Sequence, residues 1–598
     1  MESSIKGGEF LIKKTAEKDI FVTEEFNEEQ RMMKEAVIDF IDREVWPNKD
    51  RFEKKDYAFT ETLMKKAGEL GLLGVSIPEK YGGIGMGFVS TMLVTDYISS
   101  ATGSLGTAFG AHTGIGTMPI FLYGTESQKQ HYLPDLTSGE KFGAYCLTEP
   151  GAGSDANSGK TTARLTDDKK HYLINGQKMW ISNAGFAEVF IVFARIEDDK
   201  NITAFILDYN KDQPNGVTLG EEEEKLGIKS SSTRQVFFND TLVPVENMLS
   251  ERGKGFKIAL NSLNVGRIKL GAACLDASRR IINESVKYAN ERFQFKQPIS
   301  NFGAIQKKIA EMSTKTFAID AGCYRTAKDI QNRIDMEHSS GKSLQEAELV
   351  AFSEYAIECA ILKVYGSEVS QFVSDEGIQI FGGMGFSKDT PMESAWRDAR
   401  ITRIYEGTNE INRLLTVGML VKKAMKGQLD FISPAMEVAN SLTAIPSFDR
   451  PEYKELLSEE KAMVEKLKKV FLMIAGKSVQ TYGMDLEKHQ QLILSAAEIM
   501  IEIYLAESAI LKAAKVATLK DPEKVPGQIA MAKLNLFNAV EKIIFHGKEA
   551  IYYLAEGDEQ RMMIMGLKRF TKYSNSPNPI ALRKSISKLV IDSNSYCF

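Results

Sequence analysis

Cysteine and histidine are both scarce in this sequence of 598 residues. The five cysteines are scattered and include no CxxC pair; they are Cys146, Cys274, Cys323, Cys359 and Cys597. This pattern argues against a disulfide scaffold and is typical of reduced thiols that serve in packing. The six histidines form no HExxH motif and no carboxylate pairing at metal-ligand spacing, so we predict no metal site.

The sequence also lacks blocks of one charge and long apolar runs. Its 75 Lys and Arg and 80 Asp and Glu residues are interspersed and give a net charge of -5, so we predict no nucleic-acid partner. No run reaches the roughly 18 apolar residues that a membrane-spanning helix requires. The N-terminal stretch contains acidic residues and no apolar signal core, so we expect a bacterial cytoplasmic location. No basic amphipathic segment is visible, although peripheral membrane contact is left open.

Apolar spacing divides the chain into four predicted domains. Helical periodicity runs from about residue 27 to residue 120, short strand-like runs occupy residues 142 to 249, and long helical stretches follow. We therefore predict a mainly α fold with an inserted β-domain, in which Asn175-Gly176 forms a hairpin turn. The predicted domains are an N-terminal helical domain (1–141), a middle β-domain (142–252), a helix bundle (253–425) and an additional C-terminal helical domain (426–598).

The stretch TEPGAGSDA, residues 148 to 156, formally matches the GxGxxA dinucleotide fingerprint. That fingerprint must open a helix within a βαβ unit, but a polar segment and then the Asn175-Gly176 pair follow here. The sequence therefore disfavours a nicotinamide dinucleotide fold. A Gly- and Pro-rich turn remains, which is either a plain surface turn or a place where backbone N–H groups approach a flat polar ligand.

Four further stretches have a functional and a structural interpretation. Trp180 and Ser182 in KMWISNAG stand on one side of a strand, where they could contact a heterocycle or simply pack. Arg292 at a helix end could bind a phosphate or be solvated. The double glycine of IQIFGGMGF is a normal helix end that also lets backbone touch a ligand. In RIYEGTNEINR, Glu406 precedes a helix N-cap and is either a solvated loop residue or a positioned carboxylate.

Taken in order, these motifs resemble the acyl-CoA dehydrogenase family. The matching segments are YCLTEPGAGSD, INGQKMWISNAG, LGIKSSSTRQVFF, ERFQF, IQIFGGMGF and RDARITRIYEGTNEI, and they lie between about Phe26 and Leu420. The long tail, AHTGIGTMP and NFGAIQKKIAEM resemble the very-long-chain branch most. The resemblance implies a helical N-terminal domain, a middle β-barrel-like domain and a helix bundle, followed by an extra helical domain.

The resemblance also implies an FAD-dependent oxidoreductase that acts on a CH–CH bond in fatty-acid β-oxidation. Glu406 would remove the α-proton of a long-chain acyl-CoA while the β-hydrogen leaves as hydride to FAD, giving a trans-2-enoyl-CoA. Gly266 stands where some members carry the base, which leaves Glu406 as the candidate. Implied substrate contacts are Ser154, Asn264, Arg267 and Gly407. Small residues at the bottom of the acyl pocket imply a deep channel: Gly110, Ala111, Gly114 and Gly116.

The resemblance implies that two groups of residues in this sequence bind FAD. The first group is Tyr145, Leu147, Thr148, Ser154, Trp180, Ile181 and Ser182, with Thr408 and Glu410 following the base. The second group would reach the FAD of a neighbouring subunit and is Arg292, Gln294, Phe295, Gln379 and Gly383. Implied partners are a second copy in a homodimer and an electron-transferring flavoprotein as acceptor. Alternatives left open are an acyl-CoA oxidase that uses oxygen and a non-catalytic assembly or binding role.

Overall fold

The first part of the chain is helical, in a computed structural model that describes residues 5–443 and 452–598. Asn27 caps α1 because its Oδ1 accepts the N–H of Gln30, whose side chain accepts the N–H of Asn27 in return. Helix α4 is buried along its whole length. The helices of this part are α1 Glu28–Phe40, α2 Lys49–Glu53, α3 Tyr57–Glu69, α4 Phe88–Ile98, α5 Gly103–Gly110, α6 Met118–Tyr123 and α7 Glu126–Ser138.

The middle of the chain forms the expected β-domain. Its strands lie in the order β6-β7-β3-β2-β4-β5-β8, with β1 paired in parallel to β4. Strands β4 and β5 are almost wholly buried, because helices cover the sheet there. The strands are β1 Gly143–Cys146, β2 Thr162–Leu165, β3 His171–Ser182, β4 Val189–Ile196, β5 Thr203–Asp208, β6 Val217–Glu222, β7 Thr233–Pro244 and β8 Met248–Leu249.

The hairpin predicted at Asn175-Gly176 is wrong. Strand β3 runs straight through this pair, and the chain reverses instead between β2 and β3, over residues 166–170. The pair lies at a β-bulge, where the register of β3 against β7 shifts between Ile174 and Gly176. A Cβ at Gly176 would lie 2.5 Å from Thr161 Oγ1, so the glycine is needed for close packing rather than for a turn.

The predicted helix bundle follows the sheet, with helix α12 at its centre. Helix α12 packs against α8, α9, α10 and α14. The long helical stretch from Leu344 is interrupted at Tyr355, where α11 ends and α12 begins. The helices are α8 Gly255–Ala273, α9 Leu275–Glu291, α10 Gly303–Ser339, α11 Leu344–Glu354, α12 Ala356–Phe381, α13 Met392–Ile401 and α14 Asn409–Met425, and a two-stranded ribbon of β9 Phe293–Gln294 and β10 Gln297–Pro298 separates α9 from α10.

The tail of the chain adds further helices that pack on the outer side of the bundle. Helices α17, α18 and α20 all contact α10, so the tail shares a continuous apolar core with the bundle. No helix in the described residues is both long enough and apolar enough to cross a bilayer. The helices of the tail are α15 Ile432–Ser441, α16 Ser458–Tyr482, α17 Gln490–Lys520, α18 Pro526–Leu554, α19 Gly557–Phe570 and α20 Pro579–Ser593.

A buried ion network joins the tail to the bundle. Glu507 on α17 accepts from Arg325 of α10 at 2.8 Å and from Lys468 of α16 at 2.6 Å. All three side chains are at most 6% exposed. Lys468 also pairs with Glu465 at 2.7 Å, so two carboxylates balance two buried cations at the junction of three helices.

The N-terminal segment, residues 5–26, lies against the junction of bundle and tail. The ring of Phe10 packs edge-on against Tyr504 of α17, with centroids 4.7 Å apart. Gly8 donates its N–H to Glu358 of α12 at 2.7 Å. The predicted packing role of the cysteines holds for all except Cys597, which is exposed near the C-terminus.

Candidate active site

A cavity of about 800 Å³ lies where the helical domain, the β-domain and the bundle meet. Its walls come from α4, α5, the ends of β1 and β3, helix α8 and the segment after α13. This volume is in the range of pockets that bind small molecules and cofactors. The lining includes apolar side chains along α8, glycines of α5 and a few polar groups, among which Glu406 is central to the predictions above.

Glu406 lies on a non-helical step between α13 and α14. Its φ angle is 58° and that of Gly407 is 79°, so two consecutive residues adopt the left-handed conformation. A glutamate rarely adopts this conformation, because its Cβ crowds the backbone. Thr408 then caps α14 by accepting the N–H of Ile411 at 3.3 Å. The glycine and the N-cap thus belong to one local structure that holds Glu406 at the cavity wall.

Three side chains hold this step through its backbone carbonyl oxygens. Arg267 of α8 donates to the carbonyl of Glu406 at 3.3 Å, and Lys363 of α12 donates to that of Gly407 at 2.7 Å. Asn412 donates to both carbonyls, at 3.3 Å and 2.8 Å. The strained conformation is therefore fixed from two helices of the bundle and from the first turn of α14.

The carboxyl of Glu406 occupies space that is free because Gly266 has no side chain. A Cβ on Gly266 would lie 2.7 Å from Oε2, so only glycine leaves room for the carboxyl. Oε2 is buried without a hydrogen-bond partner among the described residues. Burial raises the pKa of Glu406 to about 7, against the opposing effect of the positive charges on Arg267 and Lys363. The group can therefore exchange a proton near neutral pH.

A second wall of the cavity comes from the β-domain. Trp180 has a φ angle of 61° at a bulge between Lys178 and Ile181, and its side chain is 51% exposed. The bulge breaks the regular alternation on which the prediction for Trp180 and Ser182 was based, yet both line the cavity. The hydroxyl of Tyr145 is buried nearby without a partner. This wall presents an accessible indole and an unsatisfied hydroxyl.

The turn TEPGAGSDA lies at the end of this wall. Met179 of β3 donates its N–H to the carbonyl of Thr148 at 2.9 Å, which joins the turn to β3. Glu149, which is part of the turn, forms a buried ion pair with Lys178 of β3 at 2.7 Å. Only the short 3₁₀ turn Ala156–Ser158 follows before β2, so the turn does not open the helix that a dinucleotide fingerprint requires.

The predicted site residues fall into three groups in the structure. Those that line the cavity are Tyr145, Leu147, Thr148, Ser154, Trp180, Ile181, Ser182, Arg267, Glu406 and Gly407. Those that border it without lining it are Asn264, which accepts from Arg267 at 3.0 Å, Thr408 and Glu410. Those that lie on an exposed surface outside it are Arg292, Gln294, Phe295, Gln379 and Gly383. Contact of the third group with a neighbouring subunit's FAD stays a prediction, consistent with a Phe295 ring that is 87% exposed.

The small residues predicted to open a deep channel are only partly placed as expected. Gly110 and Ala111 line the cavity. Gly116 instead packs against the backbone of Gly143 in β1, where a Cβ would lie 2.9 Å from its carbonyl carbon. The side chain of Lys269 lies beneath Gly114. The depth of the cavity is therefore set by α8 as well as by these small residues.

Sequence reasoning missed Lys363 and Asn412, which hold the step of Glu406. A usable signal existed for Lys363, since it is the lone charge in the buried apolar run AILKVYG of α12. A lysine there requires a partner inside the protein, and the partners are the carbonyl of Gly407 and Asn409. Asn412 gave no such signal, because polar residues are common in the first turn of a helix.

Comparison with known protein families matches most of the chain. Acyl-CoA dehydrogenase profiles match residues 27–140 (N-terminal domain), 144–241 (middle domain) and 253–419 (C-terminal domain). A separate profile, also described as an acyl-CoA dehydrogenase C-terminal domain, matches residues 466–569 of the tail.

Individual relatives agree with these matches. A probable acyl-CoA dehydrogenase of Bacillus subtilis is 41% identical over 595 residues, which cover 99% of this chain and 98% of that protein. The mitochondrial very long-chain specific acyl-CoA dehydrogenase of Homo sapiens is 40% identical over 362 residues, 59% of this chain and 52% of that protein. The crystal structure of an acyl-CoA dehydrogenase complexed with FAD from Bacillus anthracis is 42% identical, with a TM-score of 0.94 over 99% of this chain and 100% of that one.

Proposed function

Because this chain belongs to the acyl-CoA dehydrogenase family and is an FAD-dependent oxidoreductase, we propose that it converts long-chain acyl-CoA into trans-2-enoyl-CoA with Glu406 as the base. The observation that carries the proposal is the position of Glu406 on a fixed step at the cavity wall, with a pKa raised to about 7 by burial. The relatives of the very-long-chain type support the choice of a long chain. A role in fatty-acid β-oxidation follows from that substrate and product.

The wall of the cavity that comes from the β-domain fits FAD. The half-exposed indole of Trp180 offers a flat surface for stacking, and the buried hydroxyl of Tyr145 has no partner within the described protein. Thr148, Ser154 and Ser182 add hydroxyl groups at the same wall. When bound, FAD supplies the acceptor for the hydride that leaves the β-carbon.

Glu406 removes the proton from the α-carbon. The carboxylate is the stronger base because burial has removed it from water, and it is held where a proton of the bound thioester can come within hydrogen-bonding reach. As the proton leaves, negative charge develops on the thioester carbonyl oxygen. The backbone N–H of Glu406 donates to no acceptor among the described residues and remains available to stabilise that oxygen. Arg267 and Lys363 bind the step and add positive charge near the developing anion.

The experiment that tests this function is the visible spectrum of the purified protein without oxygen, before and after palmitoyl-CoA and, separately, butyryl-CoA. We expect the oxidised flavin band to bleach with palmitoyl-CoA, faster than with butyryl-CoA. Full activity with butyryl-CoA and none with palmitoyl-CoA would refute the long-chain preference. Flavin that stays oxidised with every chain length would favour the binding or assembly role. Rapid turnover with oxygen as the sole acceptor would favour the oxidase over transfer to an electron-transferring flavoprotein.

The rate of flavin bleaching should rise with pH through about 7. Only the ionised form of Glu406 accepts a proton, and burial raises its pKa to about 7, so the carboxyl is mostly protonated and inactive below that pH. Stopped-flow bleaching by palmitoyl-CoA between about pH 5.5 and pH 8.5 checks this. A rate that falls across that range, or stays flat, would contradict Glu406 as the titrating base.

A further inference from the structure

Lys269 is a buried lysine in the wall of the same cavity. It lies one helical turn beyond Gly266 on α8 and is 5% exposed. Its Nζ donates to Thr113 Oγ1 at 2.6 Å, and its ammonium lies 5.6 Å from the centre of the Phe109 ring. No carboxylate among the described residues forms an ion pair with it, and burial lowers its pKa to about 7. The mechanism above makes no use of this side chain.

The cavity is polar where Lys269 meets α4. Thr95 and Lys269 line both the main cavity and a small adjoining one of about 20 Å³, so the two residues are neighbours. One turn beyond Thr95, Ser99 lines the main cavity, and its hydroxyl is buried without a partner among the described residues, close to Gly106. Two more unpartnered buried hydroxyls, those of Thr91 and Thr117, belong to residues that line the small cavity, which is large enough for one water. The hydrocarbon part of an ordinary acyl chain cannot accept hydrogen bonds from these hydroxyl groups.

The position of Lys269 relative to Glu406 suits one ligand that meets both. Gly266 touches the carboxyl of Glu406, and Lys269 lies about 4.5 Å further along the axis of α8. Lys269 adds the length of its own side chain toward the turn Ala111–Gly116 that follows α5, where Cδ and Nζ lie about 4 Å from the position of a Cβ on Gly114. An acyl chain whose α-carbon lies at Glu406 can therefore bring its distal end to Lys269.

An ammonium group has three N–H donors, and Thr113 accepts from one of them. A buried charge is costly unless it is paired and hydrogen-bonded, and a carboxylate supplies both the opposite charge and the missing acceptors. We propose that Lys269 is a specificity-determining residue that binds a carboxylate at the distal end of the acyl chain. The preferred substrates are then CoA monothioesters of dicarboxylic acids. This inference rests on the proposed function, because it assumes that acyl-CoA occupies the cavity.

The test is a binding measurement that does not require turnover. Calorimetric titrations of the FAD-loaded Glu406→Gln protein compare four dicarboxylic thioesters, adipoyl-, suberoyl-, sebacoyl- and hexadecanedioyl-CoA, with hexanoyl-, octanoyl-, decanoyl- and palmitoyl-CoA of equal length. The same series is run after adding Lys269→Met, which keeps the length of the side chain and removes its charge. Lys315→Met is the matched control, since Lys315 on α10 packs over the Phe372 ring and does not line the cavity.

At the chain length that reaches Lys269, we expect the dicarboxylic ligand to gain about tenfold or more in affinity over its plain counterpart. Lys269→Met should abolish that gain, and Lys315→Met should preserve it. Equal ratios with and without Lys269 at every length would overturn the inference. The inference would also be overturned if Lys269→Met only improved the binding of longer monocarboxylic acyl-CoAs. In that case Lys269 would limit the length of the acyl chain sterically and would not bind a carboxylate. Failure of every CoA thioester to bind would instead disprove the proposed function, and this inference with it.

Discussion

Glu406→Gln should leave the flavin oxidised when palmitoyl-CoA is added without oxygen. The substitution keeps the shape of the side chain and removes the only group that we assign as proton acceptor, so we expect the bleaching rate to fall by about a hundredfold to ten-thousandfold. The contacts of the step to Arg267, Lys363 and Asn412 go to backbone carbonyls, and the variant retains them. Stopped-flow absorbance at the flavin band measures the effect directly.

Glu348→Gln is the matched control for that experiment. Glu348 on α11 is also a buried carboxyl with an unpartnered Oε2, and burial raises its pKa to about 8. It does not line the cavity. Because the carboxyl is protonated at neutral pH, glutamine replaces it without loss of charge, and the bleaching rate should stay at the wild-type value. A Glu406→Gln protein that bleaches as fast as this control would show that another group takes the proton.

Glu507→Gln should destabilise the whole protein strongly. The carboxylate lies between Arg325 and Lys468, and removing its charge leaves the buried Arg325 without an ion pair among the described residues, while Lys468 keeps its contact with Glu465 at 2.7 Å. Breaking a buried pair of this kind costs about 3–5 kcal/mol. Thermal unfolding followed by circular dichroism should show a midpoint several degrees lower, with α16 and α17 separating from α10.

An exposed glutamate in the tail provides the comparison. Glu549 on α18 is solvent-exposed and contacts His546 at 2.9 Å. Surface contacts of this kind contribute little, so Glu549→Gln should unfold at nearly the wild-type temperature. Equal midpoints for Glu507→Gln and Glu549→Gln would mean that apolar packing alone joins the tail to the bundle.

The sequence predicted those parts of the protein in which local chemistry and the final structure agree. Asn27 followed by Gln30 is a complete capping signal within four residues, and α1 begins there. The order of helical, strand-like and helical segments gave the mainly α fold with an inserted β-domain, because periodicity reports burial directly. The non-helical step at Glu406 and Gly407 could also be predicted from the sequence, since the helix N-cap Thr408 follows it directly.

The errors arose where tertiary contacts outweigh local preference. Asn175-Gly176 has the sequence of a tight turn, but pairing of β3 with both β2 and β7 keeps the strand continuous through it. Lys363 and Lys269 lie within apolar helices, and their partners are more than 40 residues away in the chain. No local pattern indicates which distant carbonyl or hydroxyl a buried lysine will meet.

The placement of residues 5–26 has a consequence for the order in which the protein can assemble. The ribosome makes residues 5–26 before several of their partners, because Phe10 packs against Tyr504 and Lys468 donates to the carbonyl of Lys13. These partners are synthesised only after most of the chain has emerged. The N-terminal segment can contact α12 earlier, through Gly8 and Glu358, but it cannot complete its packing until the tail has been synthesised.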